Sequence, residues 1–133
     1  MDQVLTYFEE LTRAMEILAA DERTVFVGQG VKYQGTRMTE NFKTISLSRL
    51  IEMPVAEDMQ LGMCIGMSLA GFVPVSVFPR WNFLLLAVNQ LVNHLDKMHA
   101  FAPKVIIRTA VGQKKPLDAG PQHTQNHSAA LRL

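Results

Sequence analysis

Between residues 4 and 19 the apolar positions Val4, Leu5, Phe8, Leu11, Met15 and Leu18 recur near one face, with Glu9, Glu10 and Arg13 elsewhere. That spacing predicts an amphipathic helix. A polar Asp21-Glu22-Arg23 turn leads into Thr24–Val27, which reads as a short buried strand ending at Gly28-Gln29-Gly30. Lys32–Ser48 is polar and weakly periodic, the pattern of a loop with one or two helical turns. Arg49–Met53 is a second strand, stopped by Pro54. Proline suits a first helical turn, so a second helix is expected from Pro54 to Ala70, with Gly71 as its stop. Val73, Val75 and Val77 then alternate within a third strand, Val73–Phe78. A third helix is expected over Trp81–Met98, where Leu84, Val88, Leu91, Leu95 and Met98 form the seam. Ala102-Pro103 breaks it, and Lys104–Thr109 is a fourth strand around Val105-Ile106-Ile107. Gly112–Gly120 reads as a loop and Gln122–Leu133 carries a weak helical signal.

Strand and helix alternate throughout, which predicts an α/β three-layer sandwich around a mostly parallel sheet. Ligands of such sheets gather outside the carboxyl ends of the strands. Here those ends are Gly28–Gly30, Pro54–Glu57, Phe78–Phe83 and Thr109 onward. The second helix carries two four-residue series, Met59/Met63/Met67 and Gly62/Gly66/Ala70. The methionines predict an adaptable core face. Each glycine costs a helix about 1 kcal/mol relative to alanine, so the small-residue series predicts another helix lying close against it.

Composition narrows the function classes. The chain has 133 residues, enough for one domain, and is 48% hydrophobic and 19% charged, as a globular protein is. Thirteen Lys and Arg against 12 Asp and Glu leave +1, so no basic excess points to nucleic acid or an anionic membrane. The one cysteine, Cys64, forms neither an internal disulfide nor a paired metal site. The opening residues lack the charged-then-apolar order of a signal peptide, which favours a cytoplasmic protein. Leu61–Phe78 has 18 residues without a charge, but Gly71 and Pro74 interrupt it. A helix followed by a buried strand accounts for that run better than a membrane span.

Several residues invite a chemical reading. Gly28-Gln29-Gly30 lacks the third glycine and helix start of a dinucleotide fingerprint and reads as a turn. Ser68, in Gly66-Met-Ser68-Leu-Ala70, falls inside a helix rather than on a nucleophile elbow, and is expected as a buried small polar residue. His123 and His127 are four apart, but no glutamate lies between them and only Asp118 is near, so no metal site is expected. His94 and His99 are expected on the surface. Glu57 follows a strand and opens a helix. It is either a carboxylate favoured by the helix dipole, or a carboxyl held in an apolar pocket among Met53, Met59 and Phe83, ready to share a proton with a ligand nitrogen.

Met53-Pro-Val-Ala-Glu57 followed by Gly62-x3-Gly66-x3-Ala70-Gly71-x2-Pro74 resembles the transketolase-type pyrimidine-binding domain of thiamine-diphosphate enzymes. Trp81-Asn82-Phe83, Gln90-x2-Asn93 and Gln122-His123-Thr124-Gln125 make it most similar to the beta subunit of the 2-oxo acid (pyruvate) dehydrogenase first component. The resemblance covers nearly the whole chain. It implies that Glu57 matches the glutamate that hydrogen-bonds the cofactor's pyrimidine nitrogen and favours its imino tautomer, so that the thiazolium carbon loses a proton. It implies that Phe83, with Trp81 in the same step, packs on the aminopyrimidine, and that His123 lines the substrate side. Glu57 and His123 are thus the implied catalytic residues; Glu57, Phe83 and Trp81 the cofactor-binding ones.

The resemblance also implies what this stretch does not supply. Residues 1–133 correspond to a single pyrimidine-binding domain that stops short of the family's next strand and helix. No Gly-Asp-Gly with a distant Asn-Asn is present, so the cofactor's diphosphate and its Mg2+ are expected on a partner, alpha-type subunit, in a homo- or hetero-oligomer acting on a small 2-oxo acid. The isolated chain is then expected to be inactive. Asn89, in place of an acidic residue, and Lys114-Lys115-Pro116, in place of a glycine-rich stretch, depart from the pattern. Two alternatives stay open: the equivalent domain of a split transketolase or deoxyxylulose-phosphate-synthase-like enzyme, and a non-catalytic remnant or binding module of the same fold.

Overall fold

A computed structural model describes residues 4–33, 35–115 and 118–132. Met1, Asp2, Gln3, Gln34, Pro116, Leu117 and Leu133, which belong to the expected opening segment, polar loop, tail loop and last helical segment, lie outside the described residues.

The first helix, α1, spans Tyr7–Ala19. It starts later than the apolar pattern suggests because Thr6 caps it: the Thr6 hydroxyl accepts from the Glu9 N–H and the Glu9 carboxylate accepts from the Thr6 N–H. Strand β1 (Thr24–Gly28) leads to a single helical turn, α2 (Arg37–Glu40), within the expected polar loop. A 3-10 turn at Leu47–Arg49 precedes β2 (Leu50–Glu52), so Arg49 lies outside the strand it was expected to open. There its guanidinium donates to the backbone carbonyls of Ala19, Asp21 and Thr24, satisfying the end of α1.

Helix α3 spans Glu57–Leu69, three residues later than Pro54 suggested. Its buried side is Glu57, Gln60, Leu61, Cys64 and Ile65. The methionine stripe is therefore not the core face: Met59 is 48% and Met63 37% exposed, and only Met67 packs partly inward. Between the glycines the outcome is divided. A Cβ on Gly62 would sit 3.7 Å from the Gln90 side chain, so a helical segment does lie against it, whereas Gly66 faces nothing within 4 Å. Strand β3 (Val73–Phe78) follows. Ser68 is not buried; its hydroxyl accepts from the Lys104 N–H and ties the helix end to the approach of β4.

The expected long helix over Trp81–Met98 is broken into α4 (Trp81–Leu86) and a π-helical turn (Gln90–Leu95), and a 3-10 turn (His99–Phe101) follows. The wider π turn belongs to the segment in which Gln90 reaches both Asp58, at 3.2 Å, and the space left by Gly62. Strand β4 (Ile106–Thr109) and a 3-10 turn (Ser128–Leu131) complete the elements.

The four strands form one sheet in the order β2-β1-β3-β4, and every pairing is parallel. Parallel strands need cover on both faces, and both are covered. One core places Met15, Phe42 and Ile45 against Phe26, Val75 and Val77; the other places Leu61, Cys64, Leu84 and Ala87 against Val27 and Phe78. On the first face Arg108 of β4 lies 5.1 Å from the Phe42 ring and donates to Asn41 Oδ1, and burial lowers its pKa. The expected three-layer α/β sandwich is what the chain forms. No helix among the described residues is long and apolar enough to cross a membrane.

Two substitutions probe this packing. Gln60 is buried, and its amide donates to Val27 O at 3.3 Å, Ser76 Oγ at 3.0 Å and Val77 O at 3.1 Å. Gln60→Leu should lower unfolding free energy by about 1–3 kcal/mol in denaturant titrations, since it removes the donor these buried groups share. Burial pushes the Cys64 thiol up from 9.0 to about 11, against a smaller lowering by Ser76. A thiol kept neutral in the fold stabilises it fully below the unfolded pKa, and that advantage is lost as pH rises toward the folded value. The stability difference between the wild type and Cys64→Ala should therefore shrink from about pH 9 to pH 11 in parallel melts.

Candidate functional site

The strand order reverses direction between β1 and β3: β2 lies outward on one side, β4 on the other. In open α/β sheets, switch points of this kind are where ligands bind, in the crevice beyond the carboxyl ends of the two central strands. Gly28 ends β1 there because nothing larger fits. A Cβ at that position would lie 2.2 Å from Val77 O on β3.

Gln60 fixes where α3 meets this crevice. Its bonds to Val27 O and Val77 O hold the first turns of α3 beneath the ends of β1 and β3. Glu57, one helical turn earlier on the same face, therefore lies just outside the strand ends. Its side chain is only 7% exposed, and Oε1 is buried without a hydrogen-bond partner among the described residues. The expected neighbour Met53 is buried on the same side of the sheet, as part of the core on which Trp81 and Phe83 pack, while Met59 points to solvent.

The opposite wall comes from β3, β4 and the tail. The Trp81 N–H donates to Ala110 O at 3.2 Å, joining the start of α4 to the end of β4. Phe83 meets His123 with ring centroids 5.7 Å apart and planes at 47°. Gly112 makes that contact feasible: a Cβ there would lie 1.6 Å from His123 O. Asn82 Nδ2 donates to Gln125 Oε1 at 2.8 Å, and His127 Nε2 lies 2.9 Å from the same oxygen.

Five buried polar atoms lack a partner among the described residues, and four belong to this end of the sheet: Glu57 Oε1, Asn82 Oδ1, Thr109 Oγ1 and His123 Nδ1. Buried polar groups are ordinarily paired, so four unpaired ones at one end of the sheet make that end the candidate site. The fifth, Arg108 Nη1, is on the face where Phe42 lies.

The chain matches the family described as the transketolase pyrimidine-binding domain over residues 4–133. The chain belongs to that family. A 3-methyl-2-oxobutanoate dehydrogenase subunit beta of Mycobacterium tuberculosis is 36% identical over 99 residues, covering 71% of this chain and 28% of the relative. A pyruvate dehydrogenase E1 component subunit beta of Staurastrum punctulatum is 31% identical over 127 residues, 89% and 38% of the two chains. The corresponding subunit of Rickettsia bellii is 28% identical over 134 residues, 94% and 41%. This pyrimidine-binding chain thus spans about a third of the length of the curated relatives it matches.

The structure brings Phe83 and His123 into contact and sets Glu57 just outside the ends of the central strands; Trp81, half-buried, packs on the core below them. His94 and His99 are exposed, as expected. Reasoning from sequence missed Glu52. Its carboxylate accepts from the Gly30 N–H at 2.5 Å and the Lys32 N–H at 2.9 Å, holding the loop that follows β1. The signal was available: an acid at a strand end beside a glycine turn whose N–H groups need acceptors.

Gly112→Ala should separate the tail from β4. The expected result is loss of Phe83–His123 ring contacts in nuclear Overhauser spectra, with the sheet core's signals retained. Persistence of those contacts would show that the close approach is not needed.

Proposed function

We propose that this chain is the pyrimidine-binding component of a thiamine-diphosphate-dependent 2-oxo acid dehydrogenase and forms its active site together with a diphosphate-binding, alpha-type subunit. The observation that carries this reading is the buried Glu57 carboxyl with an unpartnered oxygen at the switch point of the sheet. A carboxyl in such surroundings suits a ring nitrogen with which it can share a proton.

The residues present fit the pyrimidine half of the cofactor. Glu57 Oε1 is free to meet a ring nitrogen, and Phe83 supplies a half-buried aromatic face for an offset contact with a flat heterocycle. Bound thiamine diphosphate supplies a carbon nucleophile for the carbonyl of a 2-oxo acid. Glu57 holds and returns a proton at the pyrimidine nitrogen, Phe83 and Trp81 form the apolar wall beside that ring, and His123 lines the side where the 2-oxo acid enters. The diphosphate and its Mg2+ belong to the partner subunit, and residues 1–133 act as one pyrimidine-binding domain that does not turn over alone. The dehydrogenase subunits among the relatives support this reaction class.

Glu57→Gln tests the central assignment in a complex reconstituted with a diphosphate-binding subunit. The amide keeps a hydrogen-bonding group but cannot exchange a proton, so cofactor affinity should be largely retained while turnover of the 2-oxo acid falls about 100-fold or more. A carboxylate that merely favours the helix start would contribute about 0.3–1 kcal/mol of stability and leave turnover nearly intact. Near-normal turnover would remove Glu57 from the chemistry.

A further inference from the structure

Asn82, Gln125 and His127 form a polar chain that none of the roles above uses. Asn82 and His127 both meet Gln125 at its single oxygen, at 2.8 Å and 2.9 Å. An amide oxygen only accepts, so both neighbours must donate to it. For Asn82 this turns the NH2 group toward Gln125 and leaves Oδ1 as its other end, buried and without a partner among the described residues. For His127 it requires the proton on Nε2. The alternative arrangement reverses every member together: Gln125 would donate to both, His127 would carry its proton on Nδ1, and Asn82 would offer a buried N–H2 instead of an oxygen. The tautomer of an imidazole near the surface and the hydrogen-bond character of the buried wall are thus one choice.

We infer that Asn82 Oδ1 is a binding group of this site, a fixed acceptor for an N–H or O–H of the bound ligand, with Gln125 and His127 as the positioning residues that set its orientation. Asn82 binds Gln125, two residues beyond His123 in the tail, and its buried Oδ1, like His123 Nδ1, belongs to the carboxyl end of the sheet. A fixed carbonyl there favours a ligand presenting a donor, such as the amino group of an aminopyrimidine or a hydroxyl, and disfavours carboxylate or phosphate oxygens, which only accept. This assignment of ligand rests on the reading of the site as a pyrimidine-binding half-site. The proton position on His127 does not.

Two measurements test it. In the full chain, long-range 1H–15N spectra should show neutral His127 protonated on Nε2, and Gln125→Leu should relax it toward a tautomer mixture; a proton on Nδ1 in the wild type overturns the orientation. In the complex with a diphosphate-binding subunit, titrations of thiamine diphosphate with Mg2+ should show Kd raised about 10-fold by Asn82→Leu and about threefold by Gln125→Leu. Gln125→Glu, which keeps an acceptor for both donors, should restore affinity to within about twofold. Gln125 is exposed, so its variants keep the test open if Asn82→Leu fails to fold. Unchanged affinity in Gln125→Leu and in any folded Asn82→Leu overturns the proposal while the half-site reading stands. A wild-type complex that binds no thiamine diphosphate sinks that reading and, with it, the ligand assigned to Asn82.

Discussion

The placement of α3 and of Glu57 against the sheet depends on one buried amide. The peptide groups at the ends of β1 and β3 present carbonyls to the helix beneath them, and Gln60 supplies donors to Val27 O and Val77 O from a position with almost no solvent. An apolar residue there would leave the helix free to slide along the sheet, because apolar packing has little directional preference. A hydrogen-bonding side chain has one register. With Gln60 in place, Glu57 is carried one turn further to the rim of the crevice, and Cys64, one turn inward, packs into the core.

The two ends of the sheet treat their polar groups in opposite ways. At the amino end, Arg49 gathers three carbonyls, and Asp21 is held near pKa 2 by its hydrogen bonds with Arg23. At the carboxyl end, a glutamate, an asparagine, a threonine and a histidine each keep a buried atom without a partner among the described residues. The first end pairs its polar groups within the chain; the second leaves several of its own unpaired among the described residues.

Much of this was readable in the sequence. Strand positions followed from β-branched runs and from Pro and Gly punctuation, and the alternation of elements foretold the parallel sheet whose carboxyl end holds the candidate site. Glu57 was ambiguous from its residues alone, and only the resemblance to the family suggested a role for it. The misreadings have physical causes. Methionine spacing gives a helical period but not its phase, and the inward phase went to Gln60, Leu61 and Cys64 because the strand-end carbonyls needed a donor. The seam over Trp81–Met98 was apolar enough for one helix, yet the chain widens to a π turn at Gln90, a change of backbone pitch that side-chain patterning does not encode. Glu52 was missed because its partners are backbone N–H groups, which every sequence contains.

The Glu52 clamp has a mechanical consequence. A loop that follows a strand is ordinarily anchored only at its own two ends and can bend between them. Here the loop after β1 is fastened at Gly30 and Lys32 to the neighbouring strand, at the outer border of the sheet. The crevice therefore has one side that is stiff in the plane of the sheet and moves only with the border strand. Its other side is built from the segment after β4, which is attached to α4 by the Trp81–Ala110 bond and by the Asn82–Gln125 contact. The two sides are thus tied to different elements, the β1 side to the border strand and the tail side to α4, so a shift of either element carries only its own side with it.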